Sequence, residues 1–226
     1  MIRQNIQLFA LPLGAQLTPS EWESFLKVLP FDVQRKITQY KHWQDRQRAL
    51  LGSALIRWAL FPYIDEVLLH LAHDEHGRPY IAGHPHWQGD FNLSHSGNWI
   101  VLAITTNGRV GIDVEEIKPV NEEMMAYALS EAELQLVSHQ PLPVFYEFWT
   151  LKEALFKTGL LPIRSPHLLD TIAIKRTRKD LSTQLLYLDQ QHPVSLCWNN
   201  VCSNVIITML NKEQLLQLEQ QGVSRK

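Results

Sequence analysis

The order of apolar and polar residues marks out elements along the whole chain. Met1 to Ala10 predicts an opening strand. Thr18-Pro19-Ser20-Glu21-Trp22 pairs an N-cap with proline at the first helical position, and Trp22, Phe25, Leu26 and Leu29 recur at helical spacing. A first helix therefore runs to about Pro30. From Asp32 to Leu60 the apolar positions Val33, Ile37, Tyr40, Leu50, Ala54, Leu55 and Trp58 repeat with a period of about 3.6, predicting one long helix or two in succession. Asp74 to Pro79 has turn chemistry, and the polar run Asn92 to Asn98 reads as a turn leading into the strand Trp99 to Thr105. Asn107-Gly108 hands over to a strand at Val110 to Glu115, so residues 92–115 read as a hairpin.

Near Gly108 the pattern starts again. Ser130-Glu131-Ala132-Glu133 has capping-box form. A strongly apolar helix covers Val144 to Thr158, and strands are expected at Leu168 to Lys175, Gln184 to Leu188, Val194 to Trp198 and Ser203 to Met209. The Gln-rich stretch Lys212 to Gln221, with Leu215, Leu216 and Leu218, predicts a short helix. Both halves are α+β.

Composition narrows the functional classes. An apolar fraction of 45% and a charged fraction of 19% exclude a disordered chain, and 226 residues can bury a core without disulfide or metal staples. Lys and Arg number 21 against 23 Asp and Glu, a net charge of -2, so no global basic field recruits nucleic acid or anionic lipid. An anionic ligand must be held by a local cluster. Cys197 and Cys202 are too few for a disulfide framework or a zinc ribbon, which points to a reducing cytoplasm. Arg57 interrupts the apolar stretch Leu50 to Phe61, and the run Trp99 to Ile104 falls far short of the roughly 20 residues that span a bilayer. The N-terminus has no signal-peptide pattern.

Three segments carry candidate chemistry. Asp113 and Glu115 lie two apart in a strand, so they share a face. Either they are exposed at a sheet edge, or they hold a hard cation such as Mg²⁺, which takes one or two carboxylates plus phosphate oxygens. Trp149, Glu153 and Lys157 stand at i, i+4 and i+8 on one helical stripe, as a solvated ion pair or as a third carboxylate beside a cation. In Asn92-Leu93-Ser94-His95-Ser96-Gly97 an imidazole and hydroxyls can meet an anion, and Arg48 and Arg78 can add charge-assisted contacts to phosphate or remain solvated. His70, His73, His76, His84 and His86 crowd one region and raise a zinc hydrolase as a competing class, without an H-E-x-x-H helix to support it.

In combination, Phe91-Asn92-Leu93-Ser94-His95-Ser96, Gly111-Ile112-Asp113-Val114-Glu115 and Trp149-Thr150-Leu151-Lys152-Glu153-Ala154 with Lys157 resemble the 4′-phosphopantetheinyl transferases of the long, surfactin-synthetase-activating type. The resemblance extends from about Lys36 to Lys157. It implies two similar, pseudo-symmetric α+β halves in one chain, 1–108 and 109–226, with coenzyme A in the cleft between them. Residue by residue, Asp113, Glu115 and Glu153 correspond to Mg²⁺ ligands, and Ser94 and His95 to pyrophosphate contacts. Arg48, Lys36 and Arg78 correspond to partners of the 3′-phosphate and adenosine end. Lys152 and Lys157 join the coenzyme A-binding residues, with Glu153, Lys157 and His95 catalytic and Glu153 the base for the acceptor serine. The implied partner is an apo acyl or peptidyl carrier protein of fatty-acid, polyketide or nonribosomal-peptide synthesis, served by a monomeric, cytoplasmic enzyme. The alternative is a module that binds coenzyme A or carrier protein without reacting.

The chain departs from the family pattern twice. Relatives continue the catalytic helix as Lys-x-x-Gly-x-Gly, whereas Lys157-Thr158-Gly159-Leu160-Leu161-Pro162 has a single, early glycine, which implies a shorter closing loop. A family lysine aligns with Val33, leaving Lys36 and Arg35 for the 3′-phosphate. Asn121 to Leu129 matches a region that in relatives contributes to carrier docking. There Met124 and Met125 suit an adaptable surface, or a buried stripe through Met124, Ala128 and Leu129.

Overall fold

Strand β1 (Gln4–Pro12) is buried on both faces, which is why its sequence is apolar almost without interruption. Phe9 and Leu11 pack beneath the helices of the first half, while Ile6, Leu8 and Ala10 face the second half. The structure is a computed structural model that describes residues 4–64, 71–74, 77–84, 86–137, 141–199 and 202–223. After β1 come α1 (Pro19–Leu26), α2 (Phe31–Thr38) and α3 (Trp43–Leu60). Thr18 and Glu21 form the capping box that starts α1, and the periodic stretch Asp32 to Leu60 resolves into two helices, separated at residues 39–42. The short pair β2 (Leu71–His73) and β3 (Pro79–Ile81) precedes β4 (Asp90–Ser96) and β5 (Trp99–Thr105).

The second half opens with β6 (Val110–Val114), followed by α4 (Glu122–Ala128), α5 (Glu131–Val137) and α6 (Pro141–Lys157). A 3-10 turn (Pro166–Leu168) and α7 (Thr171–Thr177) lead to β7 (Ser182–Tyr187), β8 (Pro193–Trp198), β9 (Cys202–Met209) and α8 (Lys212–Val223). The two halves share one topology. In the first, β1 pairs antiparallel with β5 and β5 with β4; in the second, β6 pairs antiparallel with β8 and β8 with β7. A long helix, α3 or α6, separates the first strand from the other two in each. β9 then returns to the first half and pairs parallel with β1, completing a sheet of order β4-β5-β1-β9.

The sheets face each other across an apolar layer to which β1 and β5 contribute Ile6, Leu8, Ala10, Val101 and Ala103, and β6 and β8 contribute Val110, Ile112, Val114, Val194 and Leu196. On the outer face of the second sheet, Leu151, Ala154 and Leu155 of α6 pack with Cys197. Gly111 lets α6 approach closely: a Cβ there would lie 2.0 Å from the Ala154 carbonyl oxygen.

Two expectations are corrected. Residues 92–115 are not one hairpin. The tight turn lies at Gly97-Asn98, where Gly97 takes a φ of 51° that only glycine adopts freely, and β6 leaves for the other sheet. Leu168 to Lys175 is not a strand, because the Asp170 side chain accepts from Ala173 N–H and starts α7 instead. Among the described residues no helix is long and apolar enough to cross a membrane.

Candidate active site at the seam of the two halves

β6 is the outer strand of its sheet, and its outward N–H groups need partners. Side chains of β4 supply them. Asp90 Oδ2 accepts from Val110 N–H (2.9 Å), Asn92 Oδ1 from Ile112 N–H (2.9 Å), Ser94 Oγ from Val114 N–H (3.5 Å) and Ser96 Oγ from Glu116 N–H (3.1 Å). Every second residue of Asp90-x-Asn92-x-Ser94-x-Ser96 thus bonds every second amide of the facing strand. Ser94 and His95 consequently belong to a strand rather than a turn, and on opposite faces of it.

At the far end of this ladder the carboxylates gather. Asp113 is 2% exposed although β6 is an edge strand, so solvent does not compensate its charge. Its Oδ1 accepts from Ser94 Oγ (2.7 Å) and from Lys157 Nζ (2.5 Å), while its Oδ2 is buried with no hydrogen-bond partner. Glu115 accepts from Ser96 Oγ (2.7 Å), and Lys157 of α6 reaches Asp113, so the stripe Trp149, Glu153, Lys157 of α6 does face β6. Burial, then the charge of Asp113, raises Glu115 above the usual carboxylate range. Burial pushes Glu153 up to about 7, with Asp113 and Glu115 acting in the same direction and Lys157 against it. Asp113 is also raised by burial, against the pull of Lys157 and Ser94.

Three mutually repelling carboxylates and an orphaned buried oxygen are a donor set that fits a hard cation. Lys157 currently neutralises part of this charge, and among the described residues no three His, Cys, Asp or Glu side chains converge as a ready-made metal cluster. That covers His73, His84 and His86 of the histidine-rich region; His70 and His76 lie outside the described residues.

The remaining expected residues divide. His95 has an exposed side chain set in crowded surroundings, which, followed by the charges of Arg48 and Lys157, hold it below the ordinary imidazole range. Arg48 donates to the Gly97 carbonyl (3.2 Å) and to Asp45 Oδ1 (2.7 Å), so it sits beside the same hairpin turn. Lys36 is exposed in the last turn of α2. Arg78 is 9% exposed and engaged by the protein: Nη2 donates to Asp90 Oδ2 (2.6 Å), Phe91 O (3.0 Å) and Val110 O (2.9 Å), and Nη1 to Lys157 O. It ties β4, β6 and the C-terminus of α6 together, which removes the solvated reading of this side chain. Lys152 is not in the cleft. It is fully buried, with Nζ donating to Glu133 Oε2 (2.7 Å) and Leu169 O (2.5 Å), while Glu133 caps α5 through Ser130 and accepts from Thr171. Position 152 lies one residue off the stripe and points into the core, where the ion pair satisfies it.

A cavity of about 250 Å³, with Arg78, Asn92, Leu93, Glu153, Phe156 and Lys157 in its lining, opens beside the carboxylates. On α4, Met125 packs with Ala128 and Leu129, and Met124 is exposed, which corrects a stripe running through Met124. Ser96 and the ladder escaped the sequence reading, although the period of two in Asp90 to Ser96 is their signal.

Comparison with known proteins agrees with this geometry. Residues 16–107 match the family profile described as 4′-phosphopantetheinyl transferase, N-terminal, and residues 109–209 that of the 4′-phosphopantetheinyl transferase superfamily. The 4′-phosphopantetheinyl transferase gsp of Aneurinibacillus migulanus is 30% identical over 82% of this chain and 83% of its own length. Sfp of Bacillus subtilis is 27% identical over 67% and 69%, and AcpT of Escherichia coli K12 is 39% identical over 50% and 57%, respectively. With both profiles in series and a relative aligned along most of its length, the chain belongs to the 4′-phosphopantetheinyl transferase superfamily, as an enzyme of that class.

Proposed function

We propose that this protein moves the 4′-phosphopantetheine group of coenzyme A to a serine of an apo acyl or peptidyl carrier protein in a Mg²⁺-dependent reaction, releasing 3′,5′-adenosine diphosphate. Three carboxylates, Asp113, Glu115 and Glu153, near enough for their charges to act on one another, with Lys157 on Asp113 and a cavity lined by Glu153 and Lys157, support this reading. Asp113, Glu115 and Glu153 would hold Mg²⁺. When bound, the ion supplies positive charge against the negative charge that builds on the phosphoryl oxygens.

The chain's own groups do the rest. Lys157, only half-buried, can turn its ammonium from Asp113 to a phosphate. His95 and Arg48 supply donors on the side of the Gly97 turn, for the pyrophosphate and the 3′-phosphate end, with Lys36 beyond them. Glu153, held near neutrality, takes the proton of the acceptor serine directly or through water. The serine oxygen bonds to the β-phosphorus as its bond to the bridging oxygen breaks, and the nucleotide departs with the electron pair. Neutralising the phosphoryl charge in a partly dry seam is worth far more than in water. Release of 3′,5′-adenosine diphosphate on adding both apo carrier protein and Mg²⁺ tests this; release without the carrier, or none with both, overturns it.

A further inference from the structure

The ladder between β4 and β6 has two kinds of rung. Asp90 and Asn92 give β6 a backbone acceptor. Ser94 and Ser96 do this and more: each accepts from the N–H of one residue and donates its hydroxyl proton to the carboxylate of the residue before it, Asp113 or Glu115, at 2.7 Å in both cases. The hydroxyl proton of Ser96 is thereby aimed by the backbone. With the Ser96 oxygen accepting from Glu116 N–H, the proton has Glu115 Oε2 as its acceptor.

We propose that Ser96 is a positioning residue, fixing the Glu115 carboxylate at the distance from Asp113 that a cation shared with Glu153 requires. The proposal rests on the metal reading given above. Glutamate has three rotatable bonds and loses conformational freedom on binding an ion. A hydroxyl held by a strand amide removes that cost beforehand, and groups that orient a ligating carboxylate change metal affinity by about 10–100-fold. Ser96 is the last rung before the Gly97 turn, so its replacement disturbs little packing.

The test is Mn²⁺ binding, read by electron paramagnetic resonance with saturating coenzyme A and no carrier protein. Ser96→Ala should weaken Mn²⁺ binding about tenfold, with coenzyme A affinity measured without metal, and the melting temperature, near wild type. Ser96→Thr, which keeps the hydroxyl, should restore it, and Ser96→Cys, nearly isosteric with a weak donor, should resemble alanine. Mn²⁺ affinity equal to wild type in both Ala and Cys variants overturns the proposal while leaving the metal reading standing. Wild-type protein that binds no Mn²⁺ overturns both. Loss of melting temperature without loss of Mn²⁺ affinity makes Ser96 a seam residue only and also overturns the proposal.

Discussion

Gly111→Ala isolates how far the site depends on the contact between β6 and α6. The backbone at Gly111 is ordinary strand, so alanine adds no strain of its own, and only the new methyl group matters. That methyl would lie 2.0 Å from Ala154 O and 3.0 Å from Thr158 N, both backbone atoms of the helix end that carries Glu153 and Lys157. A normal carbon-to-oxygen contact is longer by more than an ångström, so α6 must shift outward. Overpacking costs about 1–3 kcal/mol, and the reduced freedom of the unfolded chain returns about 0.4–1 kcal/mol. Because both clashing atoms are backbone, the upper end of the overpacking range applies, and the net loss of about 2–2.6 kcal/mol lowers the melting temperature by about 4–10 °C for a chain of this size. A displacement of about 1 Å at the reacting groups costs up to about 100-fold in rate. Thermal melting and steady-state transfer with a fixed apo carrier protein measure both. Gly52→Ala is the control, because its methyl meets side-chain ends alone, Leu93 at 3.0 Å and Ile100 at 3.9 Å, and no backbone atom. A Gly111→Ala protein that melts and turns over like wild type refutes the argument that the helix is seated by this glycine.

Other substitutions test single links. Lys157→Met should abolish transfer and destabilise by about 1–3 kcal/mol, below the roughly 3–5 kcal/mol of a fully buried pair because Lys157 is 27% exposed; adding Asp113→Asn should restore the melting temperature and not the rate. Arg48→Ala should raise the KM for coenzyme A and spare 3′-dephospho-coenzyme A, whereas Arg78→Ala should lower stability and affect both substrates alike; steady-state kinetics on the two substrates decide. Met124→Glu should raise the KM for an acidic carrier protein without changing the melting temperature, and Met125→Glu should lower the melting temperature sharply. Glu21 is held down at about 2 from 4.5 by the Thr18 cap, so its stabilising charge is fully present above pH 4.5 and is lost as pH falls through about 2; the melting advantage over Glu21→Gln should shrink across that window in a pH series.

Local signals in the sequence were sufficient wherever the residues that decide an element lie next to one another. The cap at Thr18, the period of α6 and the face shared by Asp113 and Glu115 are of this kind. Long-range choices were not legible. Asn107-Gly108 has hairpin chemistry, yet the partners of β6 are β8 and the side chains of β4, and no local rule fixes that exchange. The run Asn92 to Ser96 reads as a turn because polar residues with serine usually are; in the fold its polarity serves a neighbouring strand's amides. The burial of Lys152 and Arg78 is illegible for a related reason: a buried cation is visible only once its distant partners, Glu133 and Asp90, are in place.

The central claim is that the seam is a transfer site and not merely a place where coenzyme A binds. Intact mass spectrometry of a panel of apo carrier proteins, incubated with this protein, coenzyme A and Mg²⁺, tests it most directly. At least one carrier should gain the mass of a single phosphopantetheine group on serine, and the gain should vanish with Glu153→Gln or on chelation of the metal. Tight binding of coenzyme A with no mass change on any carrier, or a gain that survives Glu153→Gln undiminished, would contradict it.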